Sequence, residues 1–197
     1  LTFKNNFVYA QAREISFKDN KLKNYVIGYP KQVRVDNFNY IFIRQDPPYN
    51  MEYISSMHLL EQVKGPTKFI NHPNGIRNAP EKISMLSYKE IIPPTVITRE
   101  KKEINDFIKQ NGKCVIKPLY GNGGESIFLL DKQDENYNQI IERFIDQRKE
   151  PFIIQKFLPE IKHGDKRIIL VNGEPIAALR RIPKSNEIRS NIHVGGN

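Results

Sequence analysis

The stretch KCVIKPLYGNGGES, residues 113–126, decides the fold, because it joins a short apolar strand to a glycine-rich loop. Lys117 lies near the end of the strand, and Gly121, Gly123 and Gly124 follow it. Glycines let the backbone adopt positive φ and let its N–H groups approach an anion closely. A lysine beside such a loop supplies the compensating charge. The stretch therefore predicts a site that binds phosphate groups.

The spacing of this loop differs from that of a P-loop, which requires GxxxxGK[ST] and a following helix. Residues 126–130, SIFLL, are instead typical of a second strand. The two strands then form a hairpin with a glycine loop at its end. Taken alone, the loop fits an ordinary glycine-rich hairpin turn equally well, so the function depends on the rest of the chain.

Composition limits the classes of protein to consider. The chain has 197 residues, of which 39% are hydrophobic and 27% charged, and no apolar run approaches the roughly 18 residues of a membrane helix. The net charge of +9 suggests a polyanionic partner, but the positive charge is spread evenly along the chain, without a basic tail or a nucleic-acid-binding motif. Anionic small substrates fit better, and we expect neither a nucleic-acid nor a membrane partner.

The cysteine and histidine content indicates the compartment and the metal chemistry. A single cysteine, Cys114, permits no internal disulfide, which suits a reducing compartment, and no signal peptide is visible at the start of the chain. We expect a cytoplasmic protein. The four histidines lack metal-ligand spacing, so no metal ligand is assigned.

The first part of the chain is typical of a βαβ unit. Residues 2–35 are expected to form weak polar strands and turns, followed by a strand at 39–43, a helix at 51–63 and a strand at 67–71. Such a unit belongs to a parallel sheet and binds ligands at the carboxyl ends of its strands. Arg44 follows the first of these two strands, so it is a candidate anion contact, although a solvated loop arginine is equally compatible with the composition.

We place a domain boundary near residue 78, which gives an N-terminal domain at 1–78 and a second domain at 79–197. The second domain is expected to be α+β with antiparallel ribbons. A helix begins at Pro80 and is followed by a strand at 95–98, a helix at 100–110, strands at 113–118 and 126–130, a helix at 135–147, a strand at 152–157 and a hairpin across 167–182.

Three cations are predicted to approach the glycine loop from separate elements: Lys82, Lys117 and Arg189. Phosphoryl transfer is catalysed mostly by positioning and charge neutralisation, so converging cations suit it. For an isolated lysine a solvated surface position is the commoner alternative, but Lys117 lies inside an apolar strand.

Residues 152–159, FIIQKFLP, have the alternation of a half-buried strand, and the backbone around Lys156 to Leu158 is a candidate hinge for a nucleotide base. An ordinary core strand is the alternative. Asp165 follows, where a carboxylate beside a ribose and a simple surface ion pair are both compatible with the sequence.

Taken in order, six segments resemble the bacterial glutathione synthetases, which are ATP-grasp ligases. The matching segments are RQDPP at 44–48, NAPEK at 78–82, IKPLYGNGG at 116–124, QKFLP at 155–159, GDKR at 164–167, and EIRSN at 187–191 with Gly195 and Gly196 after it. The resemblance spans nearly the whole chain, and RQDPP separates this family from most other ATP-grasp enzymes.

The resemblance implies an α/β (α+β) fold, with an N-terminal parallel-sheet substrate domain followed by a truncated ATP-grasp domain. It implies that ATP phosphorylates the cysteinyl carboxylate of γ-glutamylcysteine and that glycine then attacks the acyl phosphate. By this resemblance, the ATP phosphates are contacted by Lys82, Lys117, Gly121, Gly123 and Gly124, and the adenine is contacted by Gln155, Lys156, Phe157 and Leu158. Asp165 contacts the nucleotide or its surroundings. Arg167 and Arg189 act in catalysis, and the substrate is contacted by Arg44, Arg189 and Asn191.

The chain also departs from the family pattern. Asn122 stands where the family commonly has Met, a change we expect to be tolerated because the backbone binds the phosphates. The first strand and helix of the family and the segment that holds Mg²⁺ between the phosphates are absent, so we expect a fragment with little ligase activity of its own. The resemblance suggests a homo-oligomer. The alternatives are another ATP-grasp carboxylate–amine ligase and, less favoured, a basic nucleic-acid-binding module.

Overall fold

The computed structural model describes residues 1–18, 24–121 and 126–183. The chain divides into two units, Leu1–Pro80 and Glu81–Asn197. In the described part of the chain, no helix has the length and apolar character needed to span a membrane.

The first unit combines small antiparallel sheets with one parallel pair. Its elements are β1 (Thr2–Lys4), β2 (Phe7–Ala12), β3 (Ile15–Phe17), β4 (Tyr25–Ile27), β5 (Lys31–Arg34), β6 (Tyr40–Phe42), α1 (Met51–Leu60), β7 (Lys68–Ile70) and α2 (Pro73–Asn78). Strands β1, β2 and β5 form one antiparallel sheet and β3 and β4 another, while β6 pairs with β7 in parallel.

The β6–α1–β7 segment confirms the predicted βαβ unit. Asn50 caps α1, because its side chain accepts a hydrogen bond from the N–H of Tyr53 at 3.0 Å. The helix ends at Leu60, three residues earlier than predicted, and Gly65 and Pro66 follow shortly after. Its buried side chains, Met57 and Leu60, pack with Val8 and Val35 to form the core of this unit.

The second unit is an antiparallel sheet flanked by helices, with a separate ribbon. Its elements are α3 (Glu81–Ser84), β8 (Thr95–Thr98), α4 (Lys101–Asn111), β9 (Cys114–Pro118), β10 (Phe128–Leu130), α5 (Tyr137–Gln147), β11 (Phe152–Lys156), β12 (Asp165–Val171) and β13 (Glu174–Arg181). The sheet has the order β10-β9-β11-β8, and β12 pairs with β13 in the ribbon.

The helices cover one face of this sheet. Side chains alternate between the faces of a strand, so Cys114 and Ile116 of β9 point to the same side as Phe152 and Ile154 of β11. These four residues are fully buried and form one core with Leu130 and the apolar residues of α4 and α5. Lys117 and Gln155 occupy the alternate positions and therefore belong to the opposite face.

Two element boundaries differ from the prediction in a way that affects candidate residues. The strand predicted from residue 126 begins at Phe128, because Ser126 has a φ of 56° and lies in a turn. The hairpin predicted from residue 167 begins at Asp165, which pairs with Arg181. Asp165 and Arg167 therefore both lie on a strand, on the same face of the ribbon.

Candidate functional site

Lys117 lies on the sheet face opposite helices α4 and α5. Its Nζ donates a hydrogen bond to Oε1 of Gln155 on the neighbouring strand β11, at 2.8 Å. Lys117 is half-buried, whereas Gln155 is only 8% exposed. A lysine in this position is held by the sheet instead of extending into solvent, so its charge is presented at a defined place.

Lys82 reaches the same end of β9 from helix α3. Its Nζ donates to the carbonyl oxygen of Pro118 at 3.0 Å and to that of Gly121 at 2.5 Å. These two carbonyls flank the turn that leads from β9 into the glycine loop. Lys82 therefore ties helix α3 to the entrance of the loop.

Steric crowding requires a glycine at position 121 of this turn. A Cβ built on Gly121 would lie 2.5 Å from Cγ of Pro118, much closer than two carbon atoms can approach. Any larger residue would displace the turn and with it the carbonyl oxygen that accepts from Lys82. Gly123 and Gly124, the other two predicted glycines, lie outside the described residues.

The pKa values of both lysines are lowered. Burial lowers the pKa of Lys117, and the positive charge of Lys82 lowers it further, while Glu81 opposes this shift. Burial also lowers the pKa of Lys82, Glu81 opposes this shift, and the positive charge of Arg148 adds to it. Two partly desolvated cations near each other destabilise one another, and an anion bound between them would relieve that repulsion.

The predicted adenine hinge, residues 155–158, has much of its backbone engaged by the protein. The N–H of Lys156 donates to the carbonyl of Pro94 and that of Phe157 to the carbonyl of Lys113, both at 2.9 Å. Both N–H donors are therefore already hydrogen-bonded within the protein. A base edge at this hinge would have to use the N–H of Leu158 or carbonyl oxygens.

Asp165 forms an ion pair at the base of the ribbon. Its two carboxylate oxygens accept from Nε and Nη2 of Arg181 at 2.7 and 2.6 Å, and the bonded carboxylate raises the pKa of Arg181. Gly164 makes the preceding turn possible, since its φ is 90° and a Cβ there would lie 2.2 Å from the carbonyl oxygen of Arg181. Arg167 is exposed on β12.

Three further candidate residues lie in the first unit or outside the described residues. Arg44 belongs to the first unit, where it lies at a cavity of about 430 Å³ whose lining is apolar except for Tyr40, Arg44, Gln45 and Ser56. Arg189 and Asn191 lie outside the described residues. The structure therefore brings together Lys82, Lys117, Gly121 and Gln155 from the predicted set.

Sequence reasoning missed Thr95, which lies directly opposite Gln155 in the sheet. Its Oγ1 accepts a hydrogen bond from Nε2 of Gln155 at 2.8 Å. No local pattern marks Thr95, because sixty residues separate it from its partner. Among the described residues, no group of three or more His, Cys, Asp or Glu side chains could hold a metal ion.

Comparison with solved structures identifies the fold. The chain resembles the D-cycloserine synthetase DcsG, with a TM-score of 0.58 at 16% identity over 75% of this chain and 53% of that one. It also resembles the ATP-grasp ligase PsnB in a complex with a minimal precursor, Mg and ADP, with a TM-score of 0.54 at 16% identity over 91% of this chain and 61% of that one. The fold is that of the ATP-grasp ligases.

Sequence comparison is more specific. Residues 1–77 match the N-terminal domain of prokaryotic glutathione synthetases, and residues 81–197 match their ATP-grasp domain. The chain is 41% identical to the glutathione synthetase of Rhodopseudomonas palustris over 100% of this chain and 63% of that protein. It is 39% identical to that of Agrobacterium fabrum over 100% of this chain and 61% of that protein, so it spans about three fifths of the length of these relatives. The chain belongs to the prokaryotic glutathione synthetase family.

Proposed function

We propose that the protein containing this chain ligates γ-glutamylcysteine to glycine with ATP, and that Lys82 and Lys117 bind the phosphates of the nucleotide. The observation that carries this proposal is the pair of half-buried lysines at the entrance to the glycine loop, in a chain of this family. Phosphates are the ligands that two neighbouring, partly desolvated cations favour most.

The site fits ATP in its donor chemistry. An ammonium carries three N–H donors. The hydrogen bonds within the described part of the chain engage two donors of Lys82 and one of Lys117, and the other donors of the two ammonium groups would bind phosphate oxygens. At the hinge, the N–H of Leu158 and the nearby carbonyls would contact the base.

The reaction follows from the acyl-phosphate scheme. A cysteinyl carboxylate oxygen attacks the γ-phosphorus and ADP leaves; the glycine amine then attacks the acyl carbon, loses a proton, and inorganic phosphate leaves. Lys82 and Lys117 would neutralise charge on the transferring group. Arg167, Arg189, Asn191 and Arg44 remain candidates for contacts to the acceptor, the substrate carboxylates and the transferring group.

Magnesium is expected with ATP, since divalent cations bridge the phosphates in phosphoryl transfer. Among the described residues, no cluster of His, Cys, Asp or Glu side chains could hold it. Glycine residues Gly121, Gly123 and Gly124 would bring backbone N–H groups to the same phosphates, and Asp165 would act near the ribose through its ion pair with Arg181.

The test is ADP release by the full-length protein with ATP, Mg²⁺ and γ-glutamylcysteine, with and without glycine. Release that depends on both substrates supports the proposal. Release only with a different amino-acid or peptide acceptor would leave the ATP site standing and replace the substrate assignment. Absence of ATP binding would contradict both. Light scattering on the same sample would measure the molar mass of the assembly and so test the expected homo-oligomer.

A further inference from the structure

Thr95, Gln155 and Lys117 form a continuous hydrogen-bond chain across three neighbouring strands. Lys117 Nζ donates to Gln155 Oε1 at 2.8 Å, and Gln155 Nε2 donates to Thr95 Oγ1 at 2.8 Å. The hydroxyl of Thr95 in turn donates to the carbonyl oxygen of Pro93 at 2.7 Å. The chain thus runs from β9 through β11 to β8 and ends on the backbone before β8.

The carbonyl of Pro93 at one end of this hydrogen-bond chain and the ammonium of Lys117 at the other fix the orientation of the Gln155 amide. A carbonyl oxygen can only accept, so the Thr95 hydroxyl must give its proton to Pro93 and present a lone pair to Gln155. The NH₂ end of Gln155 therefore faces Thr95, and its oxygen faces Lys117. An ammonium can only donate, so this is the single amide orientation that satisfies both neighbours.

The opposite orientation would be costly at this position. It would place the NH₂ group of Gln155 against the Lys117 ammonium and the amide oxygen against the lone pairs of Thr95. Gln155 is only 8% exposed, so water could compensate little of this loss. The Thr95 hydroxyl thus selects the amide orientation that holds the ammonium.

We propose that Thr95 is a positioning residue for Lys117, acting through the buried amide of Gln155. The proposal rests on the proposed function of Lys117 as a phosphate contact. A lysine side chain has four rotatable bonds, and holding it in place before the nucleotide arrives removes part of the entropic cost of binding. Thr95 would therefore affect nucleotide affinity although it does not itself contact the nucleotide.

The first experiment compares ADP affinity among variants of the full-length protein by calorimetry. Thr95→Val keeps the shape and the strand preference but removes the hydroxyl, whereas Thr95→Ser keeps the hydroxyl. We expect Thr95→Val to weaken binding about fivefold to tenfold, and Thr95→Ser to stay within about twofold of the wild type.

A matched control is available on the same strand. Thr98 also uses its hydroxyl, as the acceptor for the N–H of Glu100 at 3.0 Å, but alternation places it on the opposite face of the sheet. Thr98→Val should leave ADP affinity within about twofold of the wild type, since it removes a hydroxyl of similar environment without touching the chain. Melting temperatures of all variants would show that they fold.

The second readout needs no nucleotide. NMR of protein labelled with ¹³C at lysine Cε reports the pKa of Lys117, with Lys117→Met used to assign the signal. Thr95→Val should lower this pKa further, because a fixed acceptor stabilises the charged ammonium and a freely turning amide does so less. Lys82 and Glu81, the charged neighbours that also affect Lys117, are unchanged in the variant.

Gln155→Glu provides a rescue, because a carboxylate has an oxygen at both ends and needs no orientation. In the Gln155→Glu background, Thr95→Val should no longer lower the pKa of Lys117. An unchanged pKa of Lys117 in Thr95→Val, or an equal loss in Thr95→Ser, would overturn the positioning role. A wild type that does not bind ADP would contradict the proposed function, while the NMR titration would still decide the role of Thr95.

Discussion

The two faces of the β10-β9-β11-β8 sheet are built from neighbouring residues but have different roles. On one face, Ile116 and Ile154 are fully buried against the helices. The opposite, polar face carries Lys117 and Gln155, which hydrogen-bond to each other beside the fully buried Ile153. Ile116 and Lys117 are adjacent in sequence, as are Ile154 and Gln155, because successive side chains of a strand point to opposite faces.

This difference means that stability and ligand binding can be altered separately. The apolar face contributes the free energy of burial, whereas the polar face holds Lys117 partly desolvated, at an electrostatic cost that Glu81 opposes and that a bound anion would offset further. A substitution of Ile116 or Ile154 should act on folding, and a substitution of Lys117, one residue from Ile116, should act on nucleotide affinity.

The largest effect is expected for Ile154→Ala, on the apolar face. Removing most of a fully buried isoleucine should lower the free energy of unfolding by about 2–5 kcal/mol. Chemical denaturation measures this loss. The fraction that remains folded should bind ADP with affinity close to that of the wild type, and a large loss of affinity per folded molecule would contradict the separation of the two faces.

Lys117→Met, on the polar face, should have the next largest effect. Losing a charge-assisted contact to phosphate is expected to weaken ADP binding about 50-fold, measured by calorimetry. The control is Lys101→Met, which removes an exposed lysine paired with Glu142 at 2.8 Å on the helix side. That control should leave affinity nearly unchanged, and equal losses in both variants would show that only overall charge matters.

A smaller effect is expected in proton uptake. In the free protein the pKa values of Lys82 and Lys117 are lowered, and a bound phosphate should raise both. ADP affinity should therefore fall as the pH rises through the lowered pKa values, and binding at alkaline pH should take up protons. Calorimetry in buffers of different ionisation enthalpy measures this uptake, and the amount should decrease in Lys117→Met.

The smallest effect is expected for Asp165→Asn in the ribbon. Its ion pair with Arg181 is partly exposed, so its loss should change the free energy of unfolding by at most about 1 kcal/mol. Thermal unfolding measures this change. A strong loss of ADP affinity without loss of stability would instead place Asp165 in direct contact with the nucleotide.

Much of this arrangement could be predicted from the sequence. Apolar alternation predicted β9 and β11, and the glycines predicted the turn after Lys117. Pairing between distant strands could not be read in the same way. The contact between Thr95 and Gln155 and the two carbonyls that accept from Lys82 depend on tertiary register, which no local pattern encodes. The Asp165–Arg181 pair lies within the predicted hairpin, but a register shift between Ile169 and Leu170 moves the pairing by one residue.

The most direct test of this account is an ADP titration of full-length protein labelled with ¹³C at lysine Cε, observing Lys82, Lys117 and Lys101 together. We expect ADP to shift the signals of Lys82 and Lys117 and to raise both pKa values, while the signal of Lys101 stays unchanged. Saturable ADP binding without any change at Lys82 and Lys117 would contradict the claim that this sheet face holds the phosphates.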